Sequence, residues 1–232
     1  MSKILFLTSS PFVGRGLPYS TENEFTSRMQ KAVEQYNKAL FITASPDDME
    51  ETDAFAFGIK YTAEISGMIF EAYNVLDRRN QNDAEKLVKE SNFIILGGGH
   101  VPTQKKFFDE IRLKELLEDF DGVIFGISAG SMNSATEVYA QPELEGESVD
   151  HEYVKFFPGL GLTETKLLPH YQDIKDDFLD GKRLFEDITY ADSIGHKFIA
   201  IPDGSYLYSE DGKEEIMGKY YVISDGTIKE MN

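Results

Sequence analysis

The chain has 232 residues, with 23 Lys and Arg against 41 Asp and Glu, a formal charge of −18 and a pI near 4.6. That length suits one domain, expected over residues 1–232, and the acidity argues against a nucleic-acid partner, which needs a basic stripe. The absence of cysteine excludes disulfides, thiolate zinc sites and a cysteine nucleophile, and no apolar run approaches the roughly 18 residues of a bilayer span, so no membrane partner is expected.

Ile4–Leu7 is an apolar run closed by Thr8-Ser9-Ser10-Pro11, which reads as a buried parallel strand entering a loop. The apolar part of this N-terminal stretch is short for a secretory signal, and a cytoplasmic location is the default expectation. Residues 21–36 carry a helical period, with Thr21 and Glu24 spaced as a capping box. Ala39–Ile42 is a second strand, a helix is expected at 61–70, and Tyr73–Leu76 is a weak strand. Asp83–Lys89 reads as a helix, Phe93–Leu96 as a strong strand breaking at three glycines, 103–119 as a helix, and Gly122–Phe125 as another apolar strand. Strands separated by helices imply βαβ units.

After residue 136 the rhythm changes. Residues 137–165 read as loop with short strands, followed by a helix at 172–186 and a strand at Phe198–Ile201. Asp-Gly pairs at 211–212 and 225–226 between alternating segments predict a small antiparallel meander. The expected fold class is α/β: a three-layer, doubly wound, mainly parallel sheet with helices on both faces and that C-terminal meander.

Gly126-Ile127-Ser128-Ala129-Gly130 matches G-x-S-x-G between an apolar strand and a plausible helix, the context that gives the motif meaning. A sharp turn there exposes the serine, and a helix N-terminus behind it favours developing negative charge. Taken alone, the motif also fits a tight βα turn with Ser128 capping the helix. A serine hydroxyl needs a base, and four histidines exist. His170, in Leu168-Pro169-His170 past a short apolar run, is placed to serve. His196 begins a strand and reads as structural, and His151 lies in an acidic loop. The third member of a triad is a carboxylate that orients the imidazole; Glu143, Glu145, Glu147 and Asp150 all qualify by composition. Ala129 N–H is one natural oxyanion donor, and the glycines at 97–99 offer the other through Gly98 or Gly99. No Gly-Lys-Ser/Thr follows them and residue 102 is proline, so nucleotide binding is weakly supported. No His-Glu-x-x-His or similar spacing occurs; no metal or cofactor is expected.

Phe93–Gly99, the elbow at 126–130, Leu168-Pro169-His170 and Ile201-Pro202-Asp203-Gly204-Ser205, in this order, resemble the peptidase E–cyanophycinase family of serine hydrolases, whose fold is similar to class I glutamine amidotransferases. The resemblance covers about residues 1 to 210. It implies Ser128 as nucleophile, His170 as base and an acid between them. Members similar to aspartyl dipeptidase carry that acid, as Asp, at the position of Glu143, while the cyanophycinase branch uses a slightly later Glu, which keeps Glu145 and Glu147 open. The family's Gly-Gly-Asn or Gly-Gly-Asp is here Gly99-His100, so aspartyl specificity does not carry over; His100 either contacts a substrate carboxylate or packs at the helix entrance. The expectation is a serine peptidase of dipeptidase or exopeptidase type, acting on a short peptide or other small amide through a Ser128–His170–Glu143 triad. A homodimer is compatible with it, although no stripe marks an interface. An α/β-hydrolase esterase and a catalytically silent small-molecule-binding homologue are the alternatives, the esterase distinguished by an acid on a later strand.

Overall fold

The computed structural model describes residues 3–231. β1 (Ile4–Thr8) is followed by α1 (Phe25–Ala32), β2 (Lys38–Ile42) by α2 (Met49–Ile65), and β3 (Ala72–Leu76) by α3 (Ala84–Glu90). β4 (Phe93–Leu96) precedes α4 (Val101–Glu110) and α5 (Leu113–Leu116), and β5 (Val123–Ile127) precedes α6 (Ala129–Asn133). The five strands are parallel, in the order β1-β5-β4-β2-β3. Their apolar runs are explained by burial on both faces. Leu5, Leu40, Ile94 and Ile124 pack on one side with Phe107 and Phe108 of α4. Phe6, Phe41, Phe93 and Phe125 pack on the other with Met29 of α1 and Ile59 of α2.

In the C-terminal half, β6 (Glu137–Tyr139) pairs antiparallel with β7 (Phe156–Pro158). β8 (Lys166–Leu168) leads into the single turn α7 (Tyr171–Ile174), a minimal hairpin of β9 (Phe178–Leu179) and β10 (Lys182–Arg183), a π-helical turn at Leu184–Thr189 and α8 (Tyr190–Asp192). β11 (Lys197–Ala200), β12 (Tyr206–Glu210), β13 (Lys213–Met217), β14 (Tyr220–Ser224) and β15 (Thr227–Met231) complete the chain. The antiparallel C-terminal strands are present as two hairpins. Each turns on Asp-Gly with positive φ at both residues (52° and 72° at Asp211 and Gly212, 47° and 77° at Asp225 and Gly226), the geometry of a tight two-residue turn. The hairpins enter different sheets. β12 and β13 extend the main sheet beside β1, and β14 and β15 join β11 and β8 in the order β15-β14-β11-β8. The result is a mixed α/β fold with a mostly parallel central sheet.

Four local expectations are corrected. No side chain caps the first helix through Thr21; Asn23 and Glu24 adopt positive φ, so α1 starts only at Phe25. The helix expected at 61–70 is the end of α2, which begins at Met49, where Asp48 Oδ1 accepts from Glu51 N–H at 2.9 Å. Thr52 and Thr62 share its buried face with Ala56 and Ile59 and dilute the apolar period. The stretch 103–119 is two helices broken at Arg112 (φ 54°). The helix expected at 172–186 is broken by the hairpin at Asp180-Gly181, where φ is 52° and 77°.

Parallel strands deliver their C-terminal ends to one edge. The registers Thr8↔Ile127 and Leu96↔Gly126 bring Ser9, Ser128 and the 97–99 loop together. Thr8↔Tyr206 brings the segment before β12 to the same edge. Leu168↔Ala200, in parallel, sets His170 alongside the 201–203 turn.

Candidate active site

Ser128 joins β5 to α6 at φ 50°, ψ −111°, a conformation an L-residue holds only when its surroundings impose it. Its N–H donates to the Thr8 carbonyl at 3.0 Å, and the Ser131 hydroxyl donates to the same oxygen at 2.8 Å. Gly130 packs against β4 so closely that a Cβ would run into the Leu96 carbonyl. The chain is thus fastened on both sides of the serine. α6 has only five residues, so negative charge placed at Ser128 would meet individual N–H groups rather than a long helix dipole.

His170 caps α7 in the left-handed region (φ 59°, ψ 26°). Its Nε2 lies 3.0 Å from Ser128 Oγ. On the other side of the ring, Nδ1 is 3.1 Å from Ser9 Oγ and 3.3 Å from Asp203 Oδ1. Ser9, fully buried, accepts from the His170 backbone N–H at 2.7 Å and donates to Asp203 Oδ1 at 2.5 Å. A hydroxyl has one proton. With that proton on Asp203, Ser9 meets Nδ1 only as an acceptor, so the ring proton belongs on Nδ1. Nε2 is then bare and faces the serine hydroxyl. Burial alone would raise the Asp203 pKa, but the hydrogen bonds from His170 and Ser9, the His170 charge and the bond linking it to Gln172 outweigh it and hold it below the ordinary carboxylate range.

The acid expected at Glu143 therefore has a competitor with better geometry. Glu143 shares a pocket with Ser128 and His170, but the carboxylate at Nδ1 is that of Asp203. Glu147 accepts from the Glu143 and Leu144 N–H groups at 2.9 and 3.0 Å and meets His100 Nε2 at 2.8 Å. Glu143, Glu145 and Asp150 are exposed. His100 has both ring nitrogens engaged, Nδ1 by Thr103 Oγ1 at 2.7 Å; contact with a substrate would require one of these bonds to give way. Neither Ser9 nor Asp203 was marked as functional by sequence. The available signal was that His170 and the Pro202-Asp203-Gly204 turn each follow a short apolar strand.

Gly99 has φ 146°, which favours glycine. The loop is anchored where buried Gln104 donates to the Gly97 carbonyl at 2.7 Å and accepts from Asn133 at 3.0 Å. A Cβ on Gly98 would lie 3.3 Å from Ser128 Cβ. Among the described residues, neither Gly98 nor Gly99 N–H donates to another backbone group. The pocket between this loop, Ser128 and His170 measures about 190 Å³.

Donor atoms of His170, Asp173 and Asp203 lie within 4.8 Å of one another, a grouping that could hold a metal; Ser9 already ties two of the three together. His196 stacks on Phe156 at 4.2 Å and faces Glu137 at 3.6 Å. No helix among the described residues is long and apolar enough to cross a membrane.

The model of peptidase family S51 matches residues 4–217. A crystal structure of a peptidase from an acI-B1 Actinobacterium is similar, with a TM-score of 0.68 and 19% identity over 99% of this chain and 93% of that one. A putative peptidase E protein from Listeria monocytogenes EGD-e is similar with a TM-score of 0.60 and 15% identity over 92% of this chain and 97% of that one. A comparison with curated proteins finds no match.

Proposed function

The chain belongs to peptidase family S51, a family of serine peptidases, and on that premise we propose that it hydrolyses a short peptide or small amide through an acyl-enzyme on Ser128. His170 Nε2 takes the serine proton as Oγ attacks the carbonyl carbon, then returns it to the leaving amine as the C–N bond breaks. Water, deprotonated by the same nitrogen, attacks the ester; the C–Oγ bond breaks, Oγ takes the proton back from His170 and the acid leaves. Asp203 stabilises the imidazolium and, with Ser9, keeps the proton of the resting ring on Nδ1. The N–H groups of Ala129 and of Gly98 or Gly99 receive the oxyanion; losing one such donor typically costs about 10²–10³ in turnover.

One observation carries this reading: a single imidazole spans Ser128 Oγ at 3.0 Å and Asp203 Oδ1 at 3.3 Å. Asp203 takes the role expected of Glu143. It follows a late strand, as the acid of an α/β-hydrolase esterase does, but the order Ser–His–Asp differs from the Ser–acid–His order of α/β-hydrolases. The test is hydrolysis of a dipeptide library by purified protein. Ser128→Ala and His170→Ala are each expected to abolish turnover with circular dichroism unchanged; full activity in either would overturn the assignment.

A further inference from the structure

The pocket beside Ser128 is walled by Val101, Met132, Ile174, Leu179 and Leu184. Val101, Met132 and Leu184 belong to a buried apolar cluster on which Ile174 and Leu179 pack, so the wall is backed by core. At about 190 Å³ it is smaller than the roughly 300–1,000 Å³ of drug-sized sites and suits one side chain. Its titratable groups apart from His170 are two carboxylates, Glu143 and Asp177, and among the described residues no lysine or arginine lines it. An acidic substrate side chain would meet like charge and no counterion, whereas an aliphatic one would meet matching surface.

Glu143 adds a second selection. Its neighbour Glu147 is saturated by His100 and two backbone N–H groups. Among the described residues the Glu143 carboxylate has no hydrogen bond or ion pair. Glu143 is exposed at the pocket rim, yet partial desolvation of its carboxyl on the pocket side pushes its pKa up and Glu147 does the same, against His100 and His170. An unpaired carboxylate on the wall beside the nucleophile is placed for a ligand cation. The α-ammonium of an N-terminal residue, two bonds from the carbonyl carbon that Ser128 attacks, is the cation that every unblocked peptide supplies.

Resting on the serine-hydrolase reading of Ser128, we infer that the substrate is a short peptide with a free N-terminus and an apolar first residue, whose side chain fills the Val101–Met132–Leu184 pocket and whose ammonium pairs with Glu143. The bond cleaved is the first peptide bond.

The test compares Leu-Ala, Met-Ala, Asp-Ala and N-acetyl-Leu-Ala, with diphenyl phosphonate analogues of Leu and Asp, free and acetylated, run alongside to report adducts at Ser128 by mass spectrometry. Leu-Ala and Met-Ala are expected to exceed Asp-Ala in kcat/KM by at least about tenfold, and acetylation to lower Leu-Ala by at least about tenfold. Glu143→Gln is expected to shrink the gap between free and acetylated Leu-Ala to under about threefold. Preference for Asp-Ala, indifference to acetylation, or adducts at Ser128 that form equally from all four phosphonates would overturn this inference and leave the hydrolase reading intact. No adduct from any phosphonate and no turnover would overturn both.

Discussion

Ser9 donates to Asp203 at 2.5 Å while accepting the backbone N–H of His170 at 2.7 Å, so one buried hydroxyl from the end of β1 fixes both the carboxylate and the peptide that carries the imidazole. The residues are 194 apart in sequence. They meet because β1 lies between β5 and β12 and shares its edge with both.

Removing that hydroxyl leaves the acid and the imidazole in place but loosely held. Ser9→Ala is expected to lower kcat by about 10–100-fold, the scale of a small misplacement of a reacting group, with little change in KM. The kcat–pH profile is expected to move with it. Ser9→Thr, which keeps the hydroxyl, is expected to recover part of the loss. A structural role alone would lower the melting temperature without moving the pH profile.

The carboxylates are separable by kinetics. Asp203→Asn is expected to cost about 10³–10⁴ in kcat, as loss of the tautomer-setting acid does in serine proteases. Glu143→Gln is expected to act mainly through KM for peptides with a free amine. A Glu143 variant as crippled in kcat as the Asp203 variant would return the acid role to Glu143.

The same two groups oppose each other in stability. The pKa of Asp203 is lowered in the fold, so its contribution is present above the unfolded-state pKa and is lost as pH falls through the folded value. The pKa of Glu143 is raised, so the fold is favoured while that group is protonated and loses the advantage as pH rises through the folded value. Thermal melts are expected to show Asp203→Asn flattening the acid limb and Glu143→Gln raising the melting temperature at pH 7.

Two glycines predict opposite signs. Gly130→Ala puts a methyl into the Leu96 carbonyl and is expected to cost about 1–3 kcal/mol in urea unfolding. Gly58, inside α2, faces open space within 4 Å of its Cβ position, so Gly58→Ala is expected to add about 0.5–1 kcal/mol.

The serine and histidine proposed as nucleophile and base were legible because each has a local signature: Ser128 has glycines on both sides after an apolar strand, and His170 follows Leu168-Pro169. The acid was not. Asp203 lies in the Ile201–Ser205 stretch that carries the resemblance, but what sets it beside His170 is the pairing of β8 with β11, a contact set by tertiary structure, and composition offered a closer cluster of glutamates as rivals. Ser9 carried no mark at all, since a serine after a strand is ordinary loop chemistry until the third dimension puts a histidine on it. The parallel core was readable from its apolar runs, whereas α2 hid behind buried threonines and the Asp180-Gly181 hairpin behind an apparent helical period.

In the proposed reaction a bare His170 Nε2 draws the proton from Ser128. The most direct measurement of that step is the rate at which a diphenyl phosphonate modifies Ser128 as a function of pH, followed by intact-protein and peptide mass spectrometry. The expected result is a single adduct on Ser128 whose rate rises through one ionisation, falls by orders of magnitude in His170→Ala and is absent in Ser128→Ala. An adduct on another residue, or a rate indifferent to His170, would contradict it.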